Sequence, residues 1–440
     1  MLEICTLSGY NEVGRNCTVV RVDDEVVILD MGVQMDKYVQ ITDEEEDIST
    51  VSPKRLMTAG VIPDINLIKD WWPEVLAIIP SHAHLDHIGA IPFLANRFNA
   101  DILCTPFTKA LLEAIMRDNN FKAHNSIISV TPNSTYKLSD KITVEFIHVT
   151  HSVPQSAIVV LHTPYGAVVY TDDFKLDLSP ILGKKTNTER LAEIGKGNVR
   201  CVILDALYAK DLTKTASEAV AKELLREVML GTDARGRAII LTTFSSHLAR
   251  LKSAIEFGKK LNRQIVFLGR SLIRYAAAGE TAGVIRFDDV KMVKYKDKMK
   301  KLLAQIEKNK GAYLIICTGH QGEPTAVLSK IADDVLPFKL DKGDHVIFSC
   351  KTIPAPINLK NRERLEAKLK KRGVRIFKDI HASGHGSRED HRELISLLNP
   401  EHLIPSHGPH DLVGPTVELV KEMGIPTKVH LMADGKRLKL

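Results

Sequence analysis

Residues 82–87 read His-Ala-His-Leu-Asp-His. An apolar run, Leu76 to Ile79 followed by Pro80, delivers the chain to this stretch, and a second, Ile88 to Phe98, leads away from it. Side chains alternate along an extended segment, which predicts His82, His84 and Asp86 on one side. His87 then begins the next turn and can reach round to the same pocket. His82 and His84 can clamp one cation while Asp86 and His87 reach a second. The spacing is not the i, i+4 pair that His-Glu-x-x-His sites carry on a helix. A polar loop rich in histidine would show the same letters, but without a strand before, a helix after and further donors downstream.

Further donors follow in four separate segments. An early strand, Val26-Val27-Ile28-Leu29, closes on Asp30. Ile147-His148-Val149-Thr150-His151-Ser152 offers His151. Val168-Val169-Tyr170-Thr171 ends in the doublet Asp172-Asp173, followed by Phe174. Leu403-Ile404-Pro405-Ser406 leads to His407. The order and composition of these segments resemble the His-x-His-x-Asp-His signature of the metallo-β-lactamase superfamily of zinc hydrolases. Spacing alone leaves both members of the doublet open; that family's motif puts its Asp directly before Phe-Lys, which implies Asp173.

Several broad classes fall away on composition. At 440 residues the chain can fill two or three domains. Its 44 % hydrophobic and 26 % charged residues are ordinary for a globular protein. No apolar stretch reaches the length of a membrane span, and the N-terminus lacks the basic and apolar regions of a secretory signal. Six scattered cysteines without a Cys-x-x-Cys pair suggest buried thiols in a reducing cytoplasm. The net charge of +6 is modest. Lysines crowd Lys291–Lys301, and basic residues crowd Lys360–Arg372; each run reads as a solvated helix face or as a track for phosphates. The acidic run Asp43–Asp47 reads as a surface loop.

The texture of the sequence changes near residue 207. Before it, short β-rich runs dominate: Thr18–Val22, Val26–Asp30, Val75–Ile79, Ile102–Cys104, Ile142–Phe146, Ala157–His162, Ala167–Tyr170 and Cys201–Asp205. After it, helical patterns over Ala216–Leu230 and Leu248–Leu261 alternate with short buried strands at 238–241, 264–268, 313–317 and 345–348, which indicates a parallel α/β layer. The last metal-type histidine lies beyond this layer, so it is an insertion. The division expected is 1–206, an inserted domain over 207–373, and a return segment over 374–440 that begins with the strand Val374–Phe377.

An insertion at this point resembles the β-CASP branch of the superfamily, whose members process nucleic acids. The implied fold is an αββα metallo-β-lactamase sandwich with an inserted α/β β-CASP domain. Asp205, His385 in Ser383-Gly384-His385-Gly386, and His407 match that branch's own motifs. Thr242-Thr243-Phe244-Ser245-Ser246, Leu268-Gly269-Arg270-Ser271, Thr318-Gly319-His320-Gln321-Gly322-Glu323-Pro324 and His381–Gly386 are similar to the ribonuclease J family, in its compact archaeal form. The sequence has neither the C-terminal extension of bacterial members nor the N-terminal KH-like modules of archaeal 3′-end-processing relatives.

The resemblance implies two zinc ions per chain: His82, His84 and His151 on one, Asp86, His87 and His407 on the other, Asp173 between them. Manganese or iron suits the same donors. Asp30 is expected to orient a ligand or the nucleophilic water rather than bind metal. Asp86, His385, Asp205 and Asp30 form the expected catalytic set, with His385 as general acid and Asp205 behind it. Taken alone, Asp205 would read as a turn cap. Strand–turn–helix junctions at Ser245-Ser246 and at Gly319-His320-Gln321-Gly322 could hold a 5′-monophosphate together with Ser383; plain helix capping reads equally well. The implied activity is 5′-to-3′ exonucleolytic hydrolysis of single-stranded RNA in decay or maturation, by a homodimer. The alternatives are an endonuclease of the 3′-end-processing type, a small-molecule hydrolase, and an RNA-binding relative without activity.

Overall fold

The computed structural model describes residues 1–44, 48–122, 124–171 and 173–440. Asp172 therefore lies outside the described residues, as does most of the acidic run expected to be a loop. The start of that run belongs to the helix Met35–Glu44.

The strands in chain order are β1 (Leu2–Ser8), β2 (Cys17–Val22), β3 (Glu25–Leu29), β4 (Val75–Ile79), β5 (Asp101–Cys104), β6 (Ile127–Ser129), β7 (Ser134–Lys137), β8 (Thr143–His148), β9 (Ala157–Thr163), β10 (Gly166–Tyr170), β11 (Val199–Asp205), β12 (Ile239–Thr242), β13 (Gln264–Leu268), β14 (Val290–Val293), β15 (Tyr313–Cys317), β16 (His345–Phe348), β17 (Arg375–Phe377), β18 (His402–Ser406), β19 (Lys428–Val429) and β20 (Lys436–Lys439). Among the described residues they form three sheets. Two have seven strands, in the orders β20-β1-β2-β3-β4-β5-β6 and β19-β18-β11-β10-β9-β8-β7; the third has six, β14-β13-β15-β12-β16-β17.

The chain divides into two compact units. Residues 1–178, 184–215 and 383–440 make the first, and 179–183 and 216–382 the second. In the first unit the two seven-stranded sheets share a core: Val20, Val27, Leu29 and Ile79 from one meet Phe146, Val159, Val168 and Ile203 from the other. β11 serves two cores at once. Its Cys201 and Ile203 face the opposite sheet, while Val202 and Leu204 face Leu394, Leu398 and Leu419 from the helices Arg388–Leu398 and Pro415–Met423. A strand buried on both faces needs the continuous apolar run seen in its sequence. All six cysteines are free and buried.

The second unit is a parallel sheet throughout. Its core gathers Ile240, Val266, Ile315, Val346 and Phe348 from the strands with Leu303, Leu328 and Leu365 from helices. One expectation is overturned here. The strand near 374–377 does form, but it pairs in parallel with β16, Arg375 opposite His345, and so belongs to the second unit rather than to the return segment. Three residues with an exposed edge carry no pattern that names a partner, and pairing is decided by the neighbour within reach. No helix among the described residues is long and apolar enough to cross a membrane.

Candidate metal centre

Six donor residues of the first unit lie at or just beyond the C-terminal ends of strands. Asp30 follows β3, His82 follows β4, His151 follows β8, Asp173 follows β10, Asp205 ends β11, and His407 follows β18. β3 and β4 are parallel, as are β10, β11 and β18, so these ends collect along one edge. The local path of the hexapeptide differs from the extended run expected. The extended part ends at His84, which caps a helical turn Leu85–Ile88 with φ −85° and ψ 150°. Asp86 and His87 are therefore presented by a helix, not by strand alternation. Gly32 makes the fit possible, because a Cβ there would lie 1.6 Å from the Asp86 carbonyl oxygen.

Two groups of donors result. His82, His84, His151 and Asp173 bring one ligand atom each within 4.8 Å of one another, and so do Asp86, His87, Asp173 and His407. In the first, His82 Nε2 lies 2.9 Å and His151 Nε2 3.2 Å from His84 Nδ1. In the second, His87 Nε2 lies 3.3 Å from Asp173 Oδ2 and 3.6 Å from Asp86 Oδ2, and His407 Nδ1 lies 3.3 Å from Asp173 Oδ1. Asp173 is common to both.

The hydrogen bonds behind these rings fix which nitrogen faces inward. His87 Nδ1 is 2.7 Å from Asp30 Oδ2, and His151 Nδ1 is 2.7 Å from the Gly384 carbonyl. Each Nδ1 is engaged outward, which turns Nε2 toward the centre. A Cβ on Gly384 would come within 2.8 Å of the His151 ring, so only glycine allows this carbonyl to approach. Asp30 accepts from Ser81 N, Ser81 Oγ, Tyr170 Oη and His87, which spends its oxygens and makes it a support for His87.

Burial drives the ionisation of the first group. It pushes His82 and His151 well below the usual histidine range and His84 down to about 4, so these rings are neutral. Burial also opposes the charged forms of Asp173 and His87, but each is overridden by the other and by its neighbours. Asp173 stays ionised, held down by His407, His87 and His385, and His87 is raised by Asp173, Asp30 and Asp86. Asp173 is 2 % exposed, yet its Oδ1 has no hydrogen-bond partner among the described residues. Converging lone pairs and an orphaned buried carboxylate oxygen fit divalent cations, and nitrogen and carboxylate donors suit zinc or manganese.

Beside this centre, His385 Nδ1 bonds Asp205 Oδ2 at 2.8 Å, and its Nε2 points toward Asp173 Oδ2 at 3.8 Å. Burial lowers this imidazole, but Asp173 and Asp205 more than reverse the effect and raise it to about 9. Asp205 is anchored from the other side, its Oδ1 accepting Leu207 N at 3.0 Å and its own N–H reaching Thr171 Oγ1 at 3.1 Å.

The turns expected to hold a 5′-phosphate are built differently. The helix after residues 319–322 starts at Val327, so Pro324 lies outside its first turn. Val327 N is bonded to Thr318 Oγ1, Leu328 N to Thr318 O, Gly322 N to Gly319 O and Gln321 N to Glu323. The Gln321 side chain bonds Lys351 O and Ile353 N, and burial holds His320 neutral against the Phe244 ring. Ser245 Oγ meets Ser271 Oγ at 3.0 Å, and Ser246 lies before a helix whose cap is His247. These bonds support the turns themselves, and Gly319, His320, Gln321, Gly322, Ser245 and Ser246 stay candidates for a phosphate contact. Ser383 belongs to the first unit, where its Oγ accepts His385 N at 3.0 Å.

Sequence reading missed Asn16, Ser81 and Tyr170. Asn16 Nδ2 is 2.9 Å from His87 Nε2 and 3.1 Å from Asp86 O, and ties the β1–β2 connection to the hexapeptide. Polar residues in otherwise apolar surroundings were the available signal, with Ser81 inserted between Pro80 and His82.

This architecture, two stacked sheets with paired His/Asp clusters at one edge, is that of the metallo-β-lactamase superfamily, whose profile matches residues 10–185. Residues 235–363 match the profile "Ribonuclease J, beta-CASP domain" and 371–431 the profile "Zn-dependent metallo-hydrolase RNA specificity domain". Ribonuclease J of Methanocaldococcus jannaschii is 42 % identical over 442 residues, covering 99 % of this chain and 98 % of that protein. Ribonuclease J of Pyrococcus abyssi is 40 % identical, covering 96 % and 93 %. The chain belongs to the ribonuclease J family. A crystal structure of a protein of unknown function from Enterococcus faecalis V583 superposes over the full length of both chains with a TM-score of 0.69 at 19 % identity, a likeness of fold.

Proposed function

We propose that this chain hydrolyses phosphodiester bonds in single-stranded RNA, mainly as a 5′-to-3′ exoribonuclease that favours 5′-monophosphate ends, with two zinc ions per chain. The observation that carries the reading is the Asp205–His385 pair set beside the donor clusters: a lactam or thioester hydrolase has less need of an acid held for a poor leaving group. Family membership supports the same substrate.

In this reading His82, His84 and His151 would hold one cation and Asp86, His87 and His407 a second, with Asp173 common to both groups of donors. Bound divalent ions supply Lewis acidity at the phosphate and a water acidic enough to attack phosphorus near neutral pH. Asp30 and the Gly384 carbonyl orient His87 and His151 with Nε2 toward the centre. His385 donates a proton from Nε2 to the departing 3′-oxygen, and Asp205 holds its Nδ1–H and favours the cationic ring. Ser383, two residues from His385, joins Gly319, His320, Gln321, Gly322, Ser245 and Ser246 as a candidate for a contact to the 5′-phosphate. Six free, buried thiols support a reducing, cytoplasmic setting. A homodimer is proposed on the family resemblance.

The test is RNA labelled at a 5′-monophosphate, incubated with the zinc-loaded protein and sized, beside its 5′-triphosphate twin. Labelled mononucleotide and a slower triphosphate reaction are expected. Longer labelled fragments would assign the chain to internal cleavage, and equal rates would remove the 5′-end preference.

A further inference from the structure

The second unit carries a surface that the proposed reaction does not use. β14 is the outer strand of the six-stranded sheet, and the chain runs from it through Tyr295 into the helix Lys296–Glu307. That helix buries Met299, Leu302, Leu303 and Ile306 and turns its other side to solvent. Lys291, Lys296, Lys298, Lys300 and Lys301 are all exposed there. None of the five has an ion pair or a side-chain hydrogen bond among the described residues. The acids just upstream are already engaged, Asp288 with Arg286 and Asp289 with Lys259. Asp297 is the one acid between Lys291 and Lys301.

Local stability does not explain this composition. Helix N-termini favour acids and disfavour cations, yet lysines occupy the first and third positions of this helix. Its cap is Tyr295, which makes no side-chain capping bond where Ser, Thr, Asp or Asn would. The tyrosine is 66 % exposed. Three choices against local stability meet at one place, offset among the described residues by Asp297 alone at the second helical position. Such departures mark places kept for another purpose. A dense positive field matches a polyanion, and an uncovered aromatic ring among the cations matches one whose bases are free to stack.

We propose that Tyr295 with Lys291, Lys296, Lys298, Lys300 and Lys301 is a docking surface for single-stranded RNA, which grips phosphates and stacks a base, in addition to the cleavage site. This rests on the reading of the chain as a ribonuclease, but its test requires no cleavage. The full-length protein is titrated in EDTA with an unstructured RNA of about 30 nucleotides, over a range of salt concentrations. On a single strand, every phosphate deprived of its lysine reduces the slope of log K against log salt by about 0.7, so K296A/K300A/K301A should flatten it by about 2. A matched triple alanine variant at Lys137, Lys185 and Lys260, exposed lysines already in ion pairs, should retain the wild-type slope. Tyr295→Ala should weaken binding by about 10-fold, Tyr295→Phe should not, and a duplex of the same sequence should be indifferent to both.

An unchanged slope in the first triple variant, or wild-type affinity in Tyr295→Ala, would overturn the proposal. If wild type binds RNA with this salt dependence but cuts none once zinc is restored, the nuclease reading fails and the docking surface stands. If it cuts RNA and the first triple variant binds like wild type, the docking surface alone fails.

Discussion

Asp205→Asn isolates the partner of the proposed general acid. The carboxylate is 2 % exposed and makes two separate bonds, Oδ1 with Leu207 N at 3.0 Å and Oδ2 with His385 Nδ1 at 2.8 Å. Asparagine fills the same volume, and its oxygen can keep the Leu207 bond, so the turn should survive. Its NH2 group then faces the imidazole N–H, donor against donor. A hydrogen bond to a charged group contributes about 1.5–3 kcal/mol. At about 1.4 kcal/mol per decade that is roughly 10- to 150-fold in the chemical step. The ceiling is the full worth of general acid catalysis, roughly 100- to 10,000-fold, which His385→Ala should approach. The assay is single-turnover cleavage of a short 5′-monophosphorylated RNA, with zinc per chain measured on the same sample. The pH profile adds a sign. The acid works when protonated, so the rate falls as pH rises through its pKa, which Asp173 and then Asp205 raise against burial. In Asp205→Asn the alkaline fall should move to lower pH, and the defect should widen as pH rises above neutral. A wild-type rate with an unmoved alkaline limb would refute the role of the pair. A loss of zinc would show that the substitution acted on the metal centre instead.

Two further outcomes follow from the same geometry. His84→Ala and Asp86→Ala each remove one donor from one cluster, so cleavage should fall below detection and zinc per chain should drop, while RNA affinity in EDTA stays close to wild type; cleavage surviving in both would end the metal-centred reading. In the core sheet, Glu145 accepts His162 Nε2 and Arg190 Nε at 2.7 Å each, and although burial opposes its charge these partners hold it down at about 2. A depressed carboxylate stabilises the fold above its unfolded pKa and loses that contribution as pH falls toward 2. Glu145→Gln should therefore cost about 1–2 kcal/mol in urea unfolding at pH 7, a figure kept low because Arg190 is 39 % exposed, with a shrinking difference below pH 4; a pH-independent difference would contradict it.

The donors were legible because each ends an apolar strand, and a strand end fixes where a side chain emerges. Asp30, His82, His151, Asp173 and His407 could be read one segment at a time, and the fold brings them to one place. What the sequence hid depends on distant partners. Nothing near Asn16 announces that its amide will meet His87, and nothing near Tyr170 announces Asp30. The 319–322 turn was only partly legible. Glycines and a proline before a helix look like free amides awaiting an anion, but Thr318 reaches across and takes the first two of that helix. The strand Arg375–Phe377 formed as expected in the wrong sheet, since a three-residue pattern names a conformation and not a neighbour.

Backbone conformation bears on the centre independently of the motifs. Asp30 and His407 have φ of +59° and +65°, in the left-handed region that costs a non-glycine residue of order 1 kcal/mol. Both come directly after a strand, β3 and β18, where one such residue turns the chain sharply. The strain is held by interactions that outnumber it. Asp30 is gripped by Ser81, Tyr170 and His87, and the His407 amide is bonded to Gly9 O at 3.0 Å. A fold selected for stability alone would place glycine or asparagine at such turns. The retention of a carboxylate and an imidazole there means that their side chains are worth more than the relaxed backbone. The same logic reaches Gly384 from the other direction, where the absence of a side chain is what lets its carbonyl orient His151.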